Sequence, residues 1–321
     1  MATKSTPAAF VGFLAPAVLA QTRPMTTLAH ISDIHLSPMP EISWRDMVGN
    51  KRITGWLNWK MRRNEELNSE TLSSLVDHLK AQNPDCTAVT GDLVNLALGY
   101  EMDRAGRWLQ ALGEPDRIAV CPGNHDAYVP GALDMACTAW GDYMRGETLD
   151  EASFPFVRRI GDVAVISCSS AVPTRPFLAV GRFDEQQAGR LSRILTSMGE
   201  AGFFRCVLIH HPPNAELQHP SFGLKGHRLF RQVIAEHGAE LVLHGHTHRS
   251  SIHSIPGKNH DVPVIGVAAA SAAQGGRLDD PARYNLFRIE RQAGSWSCVM
   301  REFGYQRLGN DIVMRMQMRI Y

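Results

Sequence analysis

Apolar runs that are continuous rather than alternating recur along the chain: Leu28 to Ile31, Cys86 to Val89, Ile118 to Val120, Val207 to Ile209 and Leu241 to Leu243. Such runs predict strands buried on both faces, as in the parallel part of an α/β sheet. Between them apolar residues return at helical spacing. Leu72, Leu75, Val76 and Leu79 end before Asn83-Pro84, and Met102, Ala105, Leu109 and Leu112 end before Gly113, so each set predicts a helix joining two strands. Asp184 with Gln187 predicts a capped helix start ahead of Leu191, Ile194, Leu195 and Met198. Leu229, Phe230, Val233 and Ile234 lead to a helix end at His237-Gly238. After Gly245 the pattern turns to strands, Val262 to Val267, Tyr284 to Ile289, Ser297 to Phe303 and Ile312 to Met318, a tail that fits a second sheet packed on the first. The expected class is α/β, a four-layer αββα sandwich with two mixed sheets and its active site at the strand C-terminal loops.

The residues directly after each run change the picture from scaffold to chemistry. The five runs are succeeded by Asp33-Ile34-His35, Gly91-Asp92-Leu93-Val94-Asn95, Gly123-Asn124-His125-Asp126, His210-His211-Pro212 and Gly245-His246-Thr247-His248. Each strand is expected to deliver its cluster to a common edge. Carboxylate, imidazole and amide donors without thiolate suit Mn, Fe, Zn or Co. Alternate spacing in Asp33-Ile34-His35 and in His246-Thr247-His248 would point both side chains to one side of an extended segment, where they can chelate one ion. Two ions about 3.5–4 Å apart would clamp the attacking and leaving oxygens of an in-line displacement at phosphorus and turn bound water into hydroxide near neutral pH. Taken singly, each cluster also reads as a turn or a solvated loop; their joint occurrence in order points to a two-metal site.

These clusters, in this order and at this spacing, resemble the calcineurin-like metallophosphoesterase superfamily over roughly residues 27 to 250. The resemblance implies that Asp33, His35 and His248 bind a first metal, that Asn124, His210 and His246 bind a second, and that Asp92 bridges them. It further implies that His125 lies beside the metals, holding the substrate oxyanion or protonating the leaving group, with Asp126 orienting its imidazole. His211, ahead of Pro212-Pro213, reads either as a substrate contact or as structural, and His244 as core or as support for a ligand. The layout looks most like the bacterial branch of cyclic-nucleotide and glycerophosphodiester phosphodiesterases. The expected activity is phosphodiester hydrolysis; the alternatives are a phosphomonoesterase and a lipid-directed phosphoesterase acting on phospholipids or nucleotide-linked lipids. A non-catalytic scaffold is disfavoured because no ligand position is substituted.

Composition narrows the partners. The 321 residues carry a formal net charge of +1, with 44% hydrophobic and 20% charged residues, which are proportions of an ordinary globule. Without a large basic field, strong nucleic-acid binding is not expected. No Ser-, Gly- or Pro-rich linker divides the chain, so residues 25–321 are expected to form one domain. Six cysteines show no paired spacing, as reduced thiols of a cytoplasmic protein would. Residues 1–24 read as an extension ahead of Met25; the alternative is an export signal ending Ala17-Val18-Leu19-Ala20. Residues 36–66 form a long insertion after the first motif, holding Trp44, Trp56 and Trp59 among Lys51, Arg52, Lys60, Arg62 and Arg63. It is expected either to cap the metal site and meet a second phosphate, an anionic head group or a membrane surface, or simply to pack as an amphipathic helix. Relatives are often dimers, so a homodimer is a further expectation, although no hydrophobic stripe marks its interface.

Overall fold

Each apolar run becomes a strand, but the runs do not lie in one sheet. In the computed structural model, which describes residues 25–38, 51–58, 69–151, 153–272, 279–292, 294–306 and 311–321, β1 (Met25–Ile31), β2 (Cys86–Val89) and β3 (Ile118–Val120) pair in parallel. β7 (Phe204–Leu208) and β9 (Leu241–His244) pair in parallel in a second sheet. The motif-bearing strands are therefore divided between two sheets whose C-terminal loops meet. A continuous apolar run specifies two buried faces and not which strand lies beside it.

The tail divides as well, which corrects the expectation that it forms a sheet of its own. β10 (Ser251–Ile255) and β11 (Val262–Gly266) extend the second sheet, with β11 parallel to β9. β12 (Arg283–Gln292), β13 (Ser295–Tyr305) and β14 (Ile312–Arg319) return to the first, where β12 runs antiparallel to β1 with Leu28 opposite Phe287. That return pairs the β1 edge, which the parallel strands leave as a row of open backbone donors and acceptors. The second sheet is closed at its other end by a hairpin, β4 (Phe156–Ile160) and β5 (Val163–Ser167). The strand orders are β14-β13-β12-β1-β2-β3 and β10-β11-β9-β7-β5-β4, and both sheets are mixed; β6 (Gly181–Arg182) and β8 (Leu224–Lys225) pair in parallel apart from them.

Alternate residues of the second sheet face different cores. Val163, Val165, Cys206, Leu208, Leu241 and Leu243 share a hydrophobic cluster with Leu28, Ile31 and Val89 of the first sheet. Ala164, Ile166, Val207, Ile209 and Val242 pack with Leu191, Ile194, Phe230 and Ile234 of helices Glu185–Glu200 and His227–His237. Leu72, Leu75 and Leu79 of helix Ser69–Ala81, with Met102 and Leu109 of helix Gly99–Leu112, join the first sheet. Two sheets with helices on their outer faces make the four expected layers. The cap at Asp184 also forms, its carboxylate accepting the Gln187 amide at 3.0 Å. All six cysteines are free and all but Cys137 are buried; burial pushes the Cys86 thiol up to about 12.

One ion pair ties the second sheet to its helices. Arg205 Nε and Nη2 donate to Glu240 Oε2 at 2.9 Å and Oε1 at 2.6 Å, and Nη1 donates to the carbonyls of Leu195 and His237. The side chains are only 12% and 7% exposed, so removing one partner strands a charge in a desolvated site. Glu240→Ala is expected to lower unfolding stability by about 3–5 kcal/mol, read as a drop in urea midpoint at constant metal concentration. A change below 1 kcal/mol, the scale of an exposed pair, would contradict this.

The extension 1–24 lies outside the described residues, as do Trp44, Trp59, Lys60, Arg62 and Arg63 of the insertion. Among the described residues no helix is long and apolar enough to cross a membrane.

Candidate metal centre

The motif side chains leave unusual backbone. Asp33 (φ 53°), His35 (φ 41°), Asp92 (φ 55°), His246 (φ 69°) and His248 (φ 56°) all lie in the left-handed region. That conformation costs about 1–2 kcal/mol for an L residue, although Asp and His tolerate it better than bulky side chains. Strain of this kind persists where surrounding contacts over-determine the backbone, and it concentrates at functional sites. Here the contacts join neighbouring loops: the amides of Asp33 and His35 donate to the carbonyls of Gly91 and Asp92 at 3.0 and 2.9 Å. The His246 amide donates to Asp33 Oδ2 at 3.0 Å, linking the two sheets. The picture of an extended Asp-x-His segment is thus corrected; left-handed turns, not strand alternation, bring each pair of side chains together.

Two groups of donors result. Asp33, His35 and His248 form one, their ligand atoms within 4.8 Å of one another, with His248 Nε2 3.3 Å from Asp33 Oδ1. Asn124, His210 and His246 form the other. Asn124 Oδ1 is 3.2 Å from His210 Nε2 and 2.9 Å from His246 Nδ1. Asp92 stands between them, its Oδ2 3.3 Å from His210 Nε2 and 3.9 Å from His35 Nε2. All seven residues named from the sequence as ligands are brought together.

The surroundings orient each ring. His35 Nδ1 lies 3.2 Å from the Val94 carbonyl, His210 Nδ1 2.5 Å from that of Thr90, His246 Nε2 2.9 Å from that of Phe222, and His248 Nδ1 3.2 Å from Asp279 Oδ2. An acceptor at the outward nitrogen selects the tautomer with its proton there and leaves a lone pair facing the cluster. Asp33 is fully buried, and among the described residues its Oδ1 accepts no hydrogen bond. Buried carboxylates facing imidazole lone pairs, with one carboxylate oxygen unsatisfied, fit cations.

The electrostatics agree. Burial opposes a charge on Asp92, but the His210 and His125 charges and the His210 hydrogen bond outweigh it and hold the carboxyl well below its usual range. Burial likewise disfavours protonated His210, yet Asp92 beside it raises the imidazole to about 9. Burial and the His210 charge push His246 down to about 3. A cation bound between Asp92 and His210 would take the place of the added proton on His210 and leave the Nε2 lone pair free to ligate.

His125 sits beside the cluster and is partly exposed. Its amide donates to Asp92 Oδ1 at 2.7 Å, its Nδ1 lies 2.5 Å from the Asn95 carbonyl, and its ring meets His35 edge-on at 4.9 Å. Asp126 does not do what was expected of it. Its carboxylate accepts the amides of Gly123 at 2.8 Å and of Asp92 and Leu93 at 2.9 Å, stitching two motif loops together, while a carbonyl orients His125. A buried carboxylate ringed by amides is satisfied by charge-assisted bonds and has no need of the imidazole.

Both ring nitrogens of His211 face protein oxygens: Nδ1 lies 2.7 Å from Ser170 Oγ and Nε2 3.0 Å from the Ala179 carbonyl, and its ring packs 4.2 Å from that of His246. His244 is buried with Nδ1 2.9 Å from the Gly245 carbonyl, and burial lowers it to about 4. Sequence reading missed three contributors. Glu101 accepts the amides of Asn95, Leu96 and Leu98, fixing the loop that orients His125; its place in the first turn of the following helix was the available signal. Asp279 and Tyr128 carried none, because their partners are set by tertiary contact.

No curated protein matches this chain. Among solved structures, a dimetal phosphatase from Danio rerio is similar at 13% identity and TM-score 0.61, covering 91% of this chain and 100% of its own. Purple acid phosphatase PPD1 from yellow lupin (Lupinus luteus) seeds is similar at 11% identity and TM-score 0.52, covering 92% of this chain and 53% of its own. These likenesses concern the fold. The sequence pattern of the calcineurin-like phosphoesterases matches residues 26–250, the stretch that holds every ligand of both donor groups, and the chain belongs to that family.

Proposed function

We propose that the protein is a metal-dependent phosphodiesterase in which Asp33, His35 and His248 hold one metal ion, Asn124, His210 and His246 hold the other, and Asp92 bridges them. Bound there, the two ions supply Lewis acidity towards a phosphoryl oxygen and acidify water. The observation that carries the diester reading is His125. One of its imidazole nitrogens lies with Asp92 and His35 ligand atoms inside 4.8 Å, and Nδ1 is kept on the Asn95 carbonyl. Nε2 is then the atom that delivers a proton to the departing alkoxide of a diester, a leaving group that needs an acid. Before that transfer the same N–H steadies a charged phosphoryl oxygen. Partial exposure of the residue lets solvent return the proton. Because the His125 amide donates to Asp92 Oδ1, the acid and the bridging carboxylate are held in one register.

Small diesters such as cyclic nucleotides and glycerophosphodiesters are the favoured substrate class. A phospholipid diester is a second reading, supported by Phe222, which is 46% exposed while its carbonyl bonds His246 Nε2. The test is kcat/KM of the Mn-loaded protein on matched aryl diester and monoester substrates, with EDTA as control and a glycerophosphodiester and a phospholipid alongside. A preference for the diester by tenfold or more, about 1.4 kcal/mol in transition-state binding, is expected, with activity abolished by EDTA. A monoester preference would move the protein to the phosphatases.

A further inference from the structure

Residues 51–55 of the insertion reach both groups that hold His125. On one side, Tyr128 stacks on the His125 ring with centroids 5.2 Å apart and planes 14° from parallel. Lys51 places Nζ 4.4 Å from the centroid of the Tyr128 ring, a cation–π distance. Gly55, in helix Arg52–Asn58, packs so closely that a Cβ there would meet the Tyr128 hydroxyl, Tyr128 Cζ at 2.9 Å and Leu96 Cδ2 at 2.6 Å. On the other side, Arg52 donates from Nε to the Leu96 carbonyl at 3.0 Å and from Nη2 to the Ala97 carbonyl at 2.6 Å. Those carbonyls belong to the loop whose Asn95 carbonyl orients His125 and whose amides Glu101 holds.

Lys51 is also anchored away from His125. Its Nζ donates to Thr174 Oγ1 and to the Leu178 carbonyl, both at 2.6 Å, and the next carbonyl, of Ala179, is held by His211. Lys51 is 8% exposed. Among the described cations of the insertion, Lys51 and Arg52 are therefore engaged with protein oxygens rather than offered to a substrate.

From these contacts the geometry points to a positioning role for residues 51–55: Lys51, Arg52 and Gly55 brace Tyr128 and the 95–98 loop, and through them hold the His125 ring in line with the leaving group. This rests on the phosphodiesterase reading of His125. A misplacement of about 1 Å in a reacting group can reduce rate about a hundredfold, and the loss falls on the step that needs the displaced group. A brace therefore leaves a signature that general destabilisation does not: poor leaving groups suffer and good ones do not.

The test uses Tyr128→Leu, Tyr128→Phe and Gly55→Ala, each metal-loaded and assayed on phosphodiesters whose leaving groups range from nitrophenolate to simple alkoxide. Tyr128→Leu and Gly55→Ala are expected to keep wild-type metal content and KM and to lose on the order of tenfold in kcat on alkoxides, with little loss on nitrophenolate. Tyr128→Phe, which keeps the ring face, restores the wild-type profile. Equal losses across the series, or none, would overturn the brace. If the wild-type protein cleaves no diester, it is the phosphodiesterase reading that fails, and if His125→Ala shows no greater loss on alkoxides, it is the acid assignment of His125. The brace is then decided by crystal structures of Tyr128→Leu: a displaced or split His125 ring supports it, and an unmoved ring overturns it.

Discussion

Asp92→Ala is expected to yield protein that folds, binds neither metal at stoichiometric level and has no measurable phosphodiester turnover. Asp92 is the side chain shared by the two donor groups, with Oδ2 facing His210 and His35 while Oδ1 accepts the His125 amide. In the proposed site, removing it would take one anionic ligand from both ions and release the loop carrying His125. The loss should exceed the about 10–100-fold that results when only a group supporting a ligand is removed. Asp92→Asn separates the contributions, since its amide oxygen can still accept from His125 but the charge that balances the cations is gone. Metal content by elemental analysis, alongside kcat/KM, checks both variants. Retention of two ions per chain by Asp92→Ala would contradict the bridging position.

His125→Ala is expected to behave in the opposite way, keeping both metals and losing about 10²–10⁴-fold in turnover, the span of general acid catalysis. None of the ligand atoms depends on its side chain; the contact with Asp92 is made by the His125 backbone amide, which alanine keeps. What disappears is the imidazole held on the Asn95 carbonyl. The deficit should therefore be greatest for poor leaving groups and should shrink for nitrophenolate esters, which depart without a proton. Full diester turnover by a metal-replete His125→Ala protein would remove the acid assignment. The two variants together distinguish loss of the metals from loss of the proton donor, which a single inactive variant does not.

The motif ligands are legible in the sequence because their chemistry is local. Asp33, His35, Asp92, Asn124, His210, His246 and His248 are recognised by residue type and by their place directly after an apolar run, and the loops following β1, β2, β3, β7 and β9 deliver them together. The true role of Asp126 is not legible there. Being next to His125 in sequence suggests contact, yet the carboxylate turns to the amides of Gly123, Asp92 and Leu93. Similarly, the cations of the insertion read either as contacts for a phosphate, head group or membrane or as the solvated charges of an amphipathic helix, whereas Lys51 and Arg52 bind protein oxygens from the 174–178 and 96–97 segments. Those partners lie far along the chain, and no spacing rule reaches them.

Taken alone, the sequence determined the class of the fold, its strands and principal helices, and the carboxylate, amide and imidazole side chains that the fold gathers, because hydrophobic periodicity and ligand chemistry are properties of short segments. Only the tertiary structure decided which sheet each strand joins, why β12 returns to β1, and how residues with left-handed backbone such as Asp33 and His248 are held with their side chains converging. It also decided that the Asn95 carbonyl and the Tyr128 ring flank His125 and that Lys51 lies over Tyr128. The physical reason is that pairing an exposed strand edge, offsetting backbone strain and orienting an imidazole all depend on groups distant in sequence, which become neighbours only when both sheets close on their shared core.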